Sequence, residues 1–592
     1  MTRRSAPPTA TLRILQTTDL HMALLPYDYA TDTERAGGSL AELAPIISKQ
    51  RADADASLLF DTGDFLQGNP LADLVSRQGP MPKAHPMISA MNMLAYDAVA
   101  LGNHEFDYGL IPLMRALDDL SCPALLANVT TEDGASFFQA SAMVARQVTA
   151  SDGMGYPLRI GVIGLLTPST LLTPDEDDPA QLQVHAMTTA AKTAATALRA
   201  DGADIVVALC HAGIARDTHF ETASDVAALP DIDVVLGGHV HKRFPDADDA
   251  PTVTVAGKPA LMAGAFGQHL GQLDLHLART DDSWQIKSHA ATLIPAQASS
   301  QAADKNIVKL AAPAHARTLD HIRQPIAAAA VPIHSFFARV APDRSLQLLS
   351  DVIKSAMQTA LPDPKDELPF LTAVAPFSTG ANGNAGQFVN IPVGRITMRT
   401  ARALYPFDNK LVIARQSGSE ILARLEKSAE QFCTVAPHVQ DQVLLNPNVP
   451  AYNSDTIFGL TYRIDLTKSA GHGRVHHVRY NGRPVNGNDQ FLIGMSTHRA
   501  MGGGGYARVR DEQIVYQSPY AIFAHLLAYL RHQQSISPPM KPVWQFDPIA
   551  DASAVFRTSA AAPAHLTTAG SKITQTAGHD DGFATYRLTF AG

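Results

Sequence analysis

The chain has 592 residues, of which 46% are hydrophobic and 17% are charged, and its formal net charge is −9. A chain of this length can bury large cores and should form at least two domains. The negative charge argues against a nucleic-acid polymer as the main partner, because basic patches dominate that kind of binding. The sequence contains no run of 18 apolar residues, so we expect no membrane span and no membrane partner.

Five short apolar runs in the first half of the chain each stop at a turn signal, which is typical of buried strands. They cover residues 12–17, 57–60, 99–101, 204–209 and 233–236. An alanine-rich stretch over 187–200 predicts a helix, and the alternating segment 270–293 predicts a pair of strands. We therefore expect a first domain over residues 1–300.

Residues 301–335 are also rich in alanine, and we expect a largely helical linker that contains a helix over 307–322. A second domain is predicted over 336–592, and its weakly alternating tail, 549–592, should add strands to an edge. The other predicted elements of this domain are helices over 345–360 and 418–429 and strands over 371–375, 459–465, 475–478 and 490–495.

Residue types that bind metal ions follow each of the five predicted strands of the first domain. The candidates are Asp19, His21, Asp64, Asn103, His104, His211, His239 and His241. Ligands of open α/β sheets bind beyond the carboxyl ends of the strands, so these side chains can converge although they lie far apart in sequence. A single such segment is more often a surface or core feature than a metal site, but five in this order argue against chance.

Carboxylate, amide and imidazole groups suit hard or borderline divalent cations. Seven of the eight side chains are enough for two cations with one shared carboxylate, which leaves His104 for chemistry. The shared ligand is expected to be a carboxylate, because its two oxygens can span cations about 3.5–4 Å apart. This arrangement is that of a two-metal phosphoester hydrolase.

The same segments resemble the calcineurin-like metallophosphoesterases, and within them the bacterial 2',3'-cyclic-nucleotide 2'-phosphodiesterase/3'-nucleotidases. The resemblance spans roughly residues 11 to 550. It is carried by Thr18–His21, Tyr27–Tyr29, Asp61–Leu71, Leu101–Leu110 and Gly237–His241. The Tyr27–Tyr29 segment favours the cyclic phosphodiesterase branch over plain 5'-nucleotidases.

The resemblance implies an α/β fold, in which a four-layer αββα metallophosphoesterase domain precedes an α+β 5'-nucleotidase-type C-terminal domain. It also implies two bound divalent metal ions, with Mn, Zn, Co and Fe as candidates. By the same resemblance, Asp64 is expected to bridge the two ions, and His104 and Asp107 are expected to form a dyad that stabilises the transition state. The implied ligands of one cation are Asp19, His21, Asp64 and His241, and those of the other are Asp64, Asn103, His211 and His239.

Four residues are implied to bind the substrate, and Asn103 is both one of these and a metal ligand. Tyr452 supplies one of two rings that clamp the base, and His498 stands where a Tyr or Phe ring is expected. Gly503 belongs to a glycine turn that resembles the binding loop of the family. An imidazole stacks less extensively than a larger ring, so base affinity or selectivity is expected to differ.

The leading hypothesis is a hydrolase of 2',3'-cyclic nucleotides and 3'-nucleotides that acts as a monomer on small-molecule nucleotides. The alternatives are a 5'-nucleotidase or UDP-sugar hydrolase with the same metals, a thiosulfohydrolase, and a non-catalytic nucleotide-binding relic. A relic is expected to have lost a ligand or His104, and none is lost. The start of the chain does not read as a signal peptide, so the periplasm is expected from the resemblance and the cytoplasm is the alternative.

Overall fold

The structure is a computed structural model. It describes residues 7–77, 85–170, 181–214, 220–246, 248–280, 282–298, 302–362, 368–380, 386–566, 572–580 and 582–590. The chain forms two compact units, Met1–Asp320 and His321–Gly592, and the boundary between them falls within the helix Lys305–Arg323. Within the described residues, every helix is too short or too polar to cross a membrane.

The first unit is built on two sheets. One sheet has the strand order Ser283–Pro295, His269–Thr280, Thr9–Thr17, Ser57–Asp61, Ala98–Ala100 and Ala124–Leu125. The other has the order Arg243–Phe244, Lys258–Ala263, Val234–Leu236, Ile205–His211, Gly155–Leu166 and Ser141–Thr149, and Thr254–Val255 also pairs with its second strand. The predicted strand pair over 270–293 is the antiparallel pair at the edge of the first sheet.

The two sheets pack face to face, and apolar residues of the predicted buried strands fill the space between them. Ile14 and Phe60 of the first sheet belong to the same core as Ile160 and Val207 of the second. On the outer face of the second sheet, helix Met187–Ala200 packs its alanines against a further core.

Helix Leu40–Ala52 contacts strand His269–Thr280 of the first sheet. Its start is fixed by Ser39, whose side chain accepts a hydrogen bond from the Glu42 N–H. The other helices in the described part of this unit are Pro70–Arg77, Pro86–Met93, Leu110–Asp118, Ala223–Ala227 and the one-turn helices His104–Phe106 and Ala296–Ala298. Two small strand pairs complete it: Tyr27–Asp28 with Thr33–Glu34, and Val129–Thr131 with Leu182–Val184.

The second unit has a five-stranded sheet at its centre. Its order is Thr456–Phe458, Phe370–Val374, Gln490–Ser496, Lys410–Ser417 and Ile514–Ala521. Helices Arg344–Ala360 and Ile522–Gln533 share one apolar core with this sheet, and helix Gly418–Ser428 contributes to a second core. The shorter helices are Met398–Leu404 and Thr497–Ala500.

Three smaller sheets surround the central one. They are Gly394–Thr397 with Pro325–Ala329 and Ser535–Ile536; Gln442–Val443 with Ser553–Ser559, Phe583–Thr589 and Ile573–Asp580; and Arg483–Pro484 with Val475–Tyr480, Leu460–Ile464 and Trp544–Phe546. A separate pair joins Ile333–His334 and Asn390–Ile391.

Two segments differ in detail from their sequence-based expectation. The segment 301–335 is helical only up to Arg323 and then forms the strand Pro325–Ala329. Pro325 ends the helix, because proline lacks an N–H and its ring disfavours a helical residue before it. The tail over 549–592 contains strands, as expected, but they build a sheet of their own with Gln442–Val443 rather than extend the central one.

Candidate active site

The parallel pairing of strands brings the candidate ligands to the same end of each sheet. In the first sheet, Thr9–Thr17 is parallel to Ser57–Asp61, which is parallel to Ala98–Ala100. In the second, Ile205–His211 is parallel to Val234–Leu236. His211 is the last residue of its strand rather than a residue beyond it. The other candidates lie in the loops that follow the carboxyl ends of their strands, as Asp19 does after Thr17.

One group of metal-binding side chains consists of Asp19, His21 and His241, whose ligand atoms all lie within 4.8 Å of one another. The Nε2 atoms of His21 and His241 are 2.9 Å apart. The Nε2 atom of His241 is 3.5 Å from Oδ1 of Asp19. Two imidazoles and one carboxylate thus point toward one small volume, although His241 lies far along the chain from the other two.

A second group consists of Asp64, His211 and His239, and it meets the same distance limit of 4.8 Å. Nε2 of His211 is 3.0 Å from Oδ2 of Asp64. The Asn103 side chain completes the group, because its Oδ1 lies 3.2 Å from Nε2 of His211 and 3.0 Å from Nδ1 of His239. The structure therefore gathers all seven residues that were predicted as ligands into two groups.

Asp64 connects the two groups. Its Oδ2 atom is 3.0 Å from Nε2 of His211 in the second group and 3.9 Å from Nε2 of His21 in the first. Asp64 is 1% exposed, so its oxygens face the site rather than bulk water. A carboxylate in this position is suited to bridge two cations.

The backbone of the candidate site has an uncommon conformation at most of the predicted ligands. Five of the seven predicted ligands have positive φ, which is uncommon outside glycine. The angles are 50° at Asp19, 46° at His21, 60° at Asp64, 72° at His239 and 56° at His241. Such conformations persist only where the surrounding structure imposes them, and here they turn the side chains inward together.

Two glycines leave the space that these side chains occupy. A Cβ atom on Gly102 would lie 2.2 Å from Oδ1 of Asp64 and 2.7 Å from Cε1 of His211. A Cβ atom on Gly238 would lie 3.0 Å from Oδ2 of Asp19. All three distances fall below normal van der Waals contact, so no larger residue fits without moving a predicted ligand.

The protonation states also fit a metal site. Burial lowers the pKa of His21 and of His239 to about 4, so both imidazoles are neutral at pH 7. Burial acts to raise the pKa of Asp64, but the neighbouring His211 holds it well below its usual range. Burial likewise acts to lower the pKa of His211, but the Asp64 carboxylate outweighs it and raises that pKa to about 10. Metal binding must release this proton, since a ligating imidazole is neutral.

Glu105 is a residue of this site that the sequence reasoning missed. It is 1% exposed, and its two carboxylate oxygens accept hydrogen bonds from four backbone N–H groups. These are Asp64 N at 2.7 Å, Phe65 N at 2.7 Å, Leu66 N at 3.0 Å and Gly102 N at 2.7 Å. Glu105 thus holds the two loops that carry Asp64 and Asn103. The available signal was a turn of irregular backbone in an apolar setting, whose N–H groups needed a buried acceptor.

Phe266 is a second residue that was not predicted. Its ring centroid lies 5.3 Å from that of His21 and 5.3 Å from that of His241. Its backbone N–H donates to the carbonyl oxygen of Asp19 at 2.8 Å. One residue thus contacts all three members of the first group, and nothing in the local sequence indicated that it would.

His104 lies beside the two groups and is paired with Asp107. Nδ1 of His104 is 2.7 Å from Oδ2 of Asp107, and its backbone N–H donates to Oδ1 of Asp64 at 2.8 Å. The His104 ring is 5.3 Å from the His21 ring, and its side chain is 40% exposed. Burial opposes protonation, but the Asp107 hydrogen bond and the Asp64 charge raise the pKa of His104 to about 9. The imidazole is therefore accessible and held by a carboxylate.

Comparison with known proteins agrees with this geometry. The calcineurin-like phosphoesterase family matches residues 12–243, and the 5'-nucleotidase C-terminal domain family matches residues 325–511. The 2',3'-cyclic-nucleotide 2'-phosphodiesterase/3'-nucleotidase of Yersinia enterocolitica is 32% identical over 556 residues, which are 88% of this chain and 85% of that protein. The chain belongs to this family of two-domain metallophosphoesterases. The predicted resemblance and the predicted fold class are thereby confirmed.

Two further matches bear on this family member. The trifunctional nucleotide phosphoesterase protein YfkN of Bacillus subtilis is 32% identical over 99% of this chain, but the chain spans only 42% of the length of that protein. The crystal structure of a 5'-nucleotidase precursor from Thermus thermophilus has a TM-score of 0.59 at 23% identity, over 90% of this chain and 99% of that one. At this identity the similarity supports the fold alone.

The second unit of this phosphodiesterase/3'-nucleotidase family member contains a cavity of about 510 Å³. Tyr452 and His498, the predicted base-clamping residues, both line it, together with Phe377 and Phe407. Gly503 leaves room for the His498 ring, because a Cβ atom there would lie 2.2 Å from the His498 Nε2 atom. A cavity of this size with an apolar, aromatic lining is typical of small-molecule sites.

Proposed function

We propose that the chain hydrolyses 2',3'-cyclic nucleotides to 3'-nucleotides and then hydrolyses 3'-nucleotides to nucleoside and phosphate. The observation that carries the proposal is the pair of ligand groups joined by Asp64 beside the His104–Asp107 pair. It is supported by relatives that are named for these two activities and match the chain over most of its length.

The proposed ligand sets are those implied by the resemblance: Asp19, His21, Asp64 and His241 for one cation, and Asp64, Asn103, His211 and His239 for the other. Two divalent cations held by these residues would supply a hydroxide nucleophile and would neutralise charge on the phosphate oxygens. The proposed ligands are carboxylate, amide and imidazole groups, and these groups suit Mn²⁺, Zn²⁺, Co²⁺ or Fe²⁺.

His104 is proposed to act on the phosphate directly. Because Nδ1 of His104 is hydrogen-bonded to Asp107, Nε2 is the ring nitrogen that remains to donate to a phosphate oxygen or to the leaving oxygen. Asp107 thereby fixes the ring orientation and favours the protonated form. Asn103 is proposed to contact the phosphate as well as a cation, since its side chain lies between two imidazoles of the second group.

The second unit is proposed to recognise the nucleoside. Cations hold phosphate but do not distinguish a base, whereas stacking on a ring contributes about 1–3 kcal/mol per base. Tyr452 and His498 line one cavity, which suits them to this role, and Gly503 leaves the space that the His498 ring occupies.

The periplasm is the proposed location, because the family resemblance favours it. Fractionation of cells that express the native gene tests this location.

The decisive experiment compares phosphate release from 2',3'-cyclic AMP, 3'-AMP, 5'-AMP and a UDP-sugar by purified protein loaded with Mn²⁺. The first compound needs both proposed steps, so the expected result is release from it and from 3'-AMP well above the other two. Faster release from 5'-AMP or the UDP-sugar supports the alternative nucleotidase activity. Undiminished turnover in excess EDTA, with no transition metal bound, refutes the metal-dependent mechanism.

A further inference from the structure

A buried ion pair lies beside the proposed base-binding residues of the second unit, and both of its members line the same cavity. Arg499 is 4% exposed and Asp455 is 6% exposed. Nε of Arg499 donates to one oxygen of Asp455 at 2.8 Å, and Nη2 donates to the other at 3.1 Å. This is the two-pronged geometry in which a guanidinium matches a carboxylate, and it fixes the plane of the Arg499 head group.

The same head group also holds two of the segments proposed to bind the substrate. Nη2 donates to the carbonyl oxygen of Tyr452 at 2.6 Å, and Nη1 donates to the carbonyl oxygen of Gly503. Since Arg499 directly follows His498, one side chain connects all three residues assigned to the nucleoside. The three lie on separate short elements: Ala451–Asn453, Thr497–Ala500 and Gly503–Gly505.

Tyr506 clamps the arrangement from the other face. The guanidinium carbon of Arg499 lies 4.0 Å from the centroid of the Tyr506 ring, which is cation–π contact. The Tyr506 hydroxyl accepts from the Asp455 N–H at 3.1 Å and lies 3.2 Å from the Asn453 carbonyl oxygen. The pair is thus enclosed by groups of its own unit, and four of the five N–H bonds of Arg499 are directed at protein oxygens.

We propose that the Arg499–Asp455 pair is a positioning pair that sets the spacing between Tyr452 and His498 and so determines affinity for the nucleoside. The inference rests on the proposed function. Arg499 acts through the residues that it holds, because its hydrogen bonds are used within the protein. Lysine cannot replace it, since an ammonium group lacks the planar fork that reaches a carboxylate and two carbonyl oxygens at once.

The test is the variant Arg499→Lys in the full-length protein, with two readouts. Adenosine binding to the wild type and the variant is measured by calorimetry. Steady-state kinetics are measured on 2',3'-cyclic AMP and on 1-O-methylribose 2',3'-cyclic phosphate, which has the phosphate but no base. We expect the KM for cyclic AMP and the Kd for adenosine to rise about tenfold, which corresponds to the loss of one stacking contact, while the KM for the base-free compound changes little.

Arg474→Lys is the matched control. Arg474 is also buried in the second unit, and it also holds loops by donating to carbonyl oxygens, those of Ala429, Phe432 and Lys468. It does not line the cavity. This control should lower the unfolding temperature without changing the affinity for adenosine. Asp455→Asn, which retains the shape of the side chain but removes its charge, should reproduce the effect of Arg499→Lys more weakly.

Each outcome decides the matter. If Arg499→Lys binds adenosine as tightly as the wild type, or if both compounds lose turnover equally, the pair has no positioning role. If Arg474→Lys weakens adenosine binding as much, general destabilisation explains the result and the proposal is overturned. Failure of the proposed function appears separately, as a wild-type protein that hydrolyses neither cyclic compound.

Discussion

Glu105 offers the sharpest test of how this site is built, because it lies among the predicted ligands without being one of them. In Glu105→Gln the shape of the side chain is kept, but one acceptor oxygen becomes an NH₂ donor that faces N–H groups. Each carboxylate oxygen accepts two backbone hydrogen bonds, so the change removes two. Burial raises the pKa of Glu105 to about 7, so the carboxylate is charged mainly above that pH. There, hydrogen bonds to a charged group contribute about 1.5–3 kcal/mol each, which gives about 3–6 kcal/mol for the pair.

That energy stabilises a strained turn. Asp64 has a φ of 60°, and its N–H is one of the groups that Glu105 holds. Without the carboxylate, the turn is expected to relax and withdraw the one side chain that both ligand groups share. The predicted signature is therefore weaker binding of both cations together, and not of one.

Metal content by mass spectrometry after gel filtration, followed by titration of the apoprotein with Mn²⁺, measures this. The control is Glu42→Gln, because Glu42 likewise accepts from backbone N–H groups, those of Gly37 at 2.9 Å and Gly38 at 3.0 Å. That control should lower stability and leave metal binding unchanged. If Glu105→Gln keeps two cations at wild-type affinity, the turn does not depend on this carboxylate and the reasoning is wrong.

Three further predictions follow from single side chains. His104→Ala should lower kcat by about 10²–10⁴ and leave metal content intact, so kinetics paired with metal analysis check it, and normal turnover would remove His104 from the mechanism. Phe266→Ala should lower the affinity for one of the two cations by about 10–100-fold, because the ring packs against two imidazoles of one group. Metal titration checks this. Phe220→Ala is the control, since Phe220 is 47% exposed and Phe266 is 41% exposed. Burial raises the pKa of Asp343 to about 6, above its unfolded value, so the folded state binds the extra proton and stability should fall by up to about 3 kcal/mol as pH rises from 4 to 6. Asp343→Asn retains the cap of helix Arg344–Ala360 and should flatten that dependence in urea unfolding at pH 4.5 and 7.5; an unchanged slope would contradict it.

The sheet strands and the convergence of the candidate ligands were predictable from local pattern, whereas the division of the ligands into two groups came from the family resemblance. An apolar run that stops at a glycine or aspartate predicts a strand and the loop at its carboxyl end. Parallel pairing then brings such loops together without any knowledge of long-range contacts. Asp19 follows a strand of the first sheet and His241 follows a strand of the second, so their meeting also requires the carboxyl ends of the two packed sheets to face one crevice.

The tail strands and the linker were predicted less well because proline position and strand pairing matter there. The alanines after Gln324 favour a helix by propensity, but Pro325 forces an extended backbone, and the strand then pairs with Gly394–Thr397. The strand at Ser553–Ser559 was visible as an alternating pattern. Its partner, Gln442–Val443, is a two-residue strand with no detectable pattern of its own.

The sequence did not single out the supporting carboxylates, and the reason is physical. Glu105 and Asp455 act by accepting hydrogen bonds from groups that are near only after folding, the backbone of 64–66 in one case and Arg499 in the other. Their sequence neighbourhoods carry no periodicity that separates them from solvated acids. A buried carboxylate persists only where donors surround it. In this fold Glu105 and Asp455 each find such donors in, or next to, a loop that carries predicted site residues, and they fix that loop. The residues that position the site are therefore recognised by their burial in the structure, whereas the ligands are recognised by motif in the sequence.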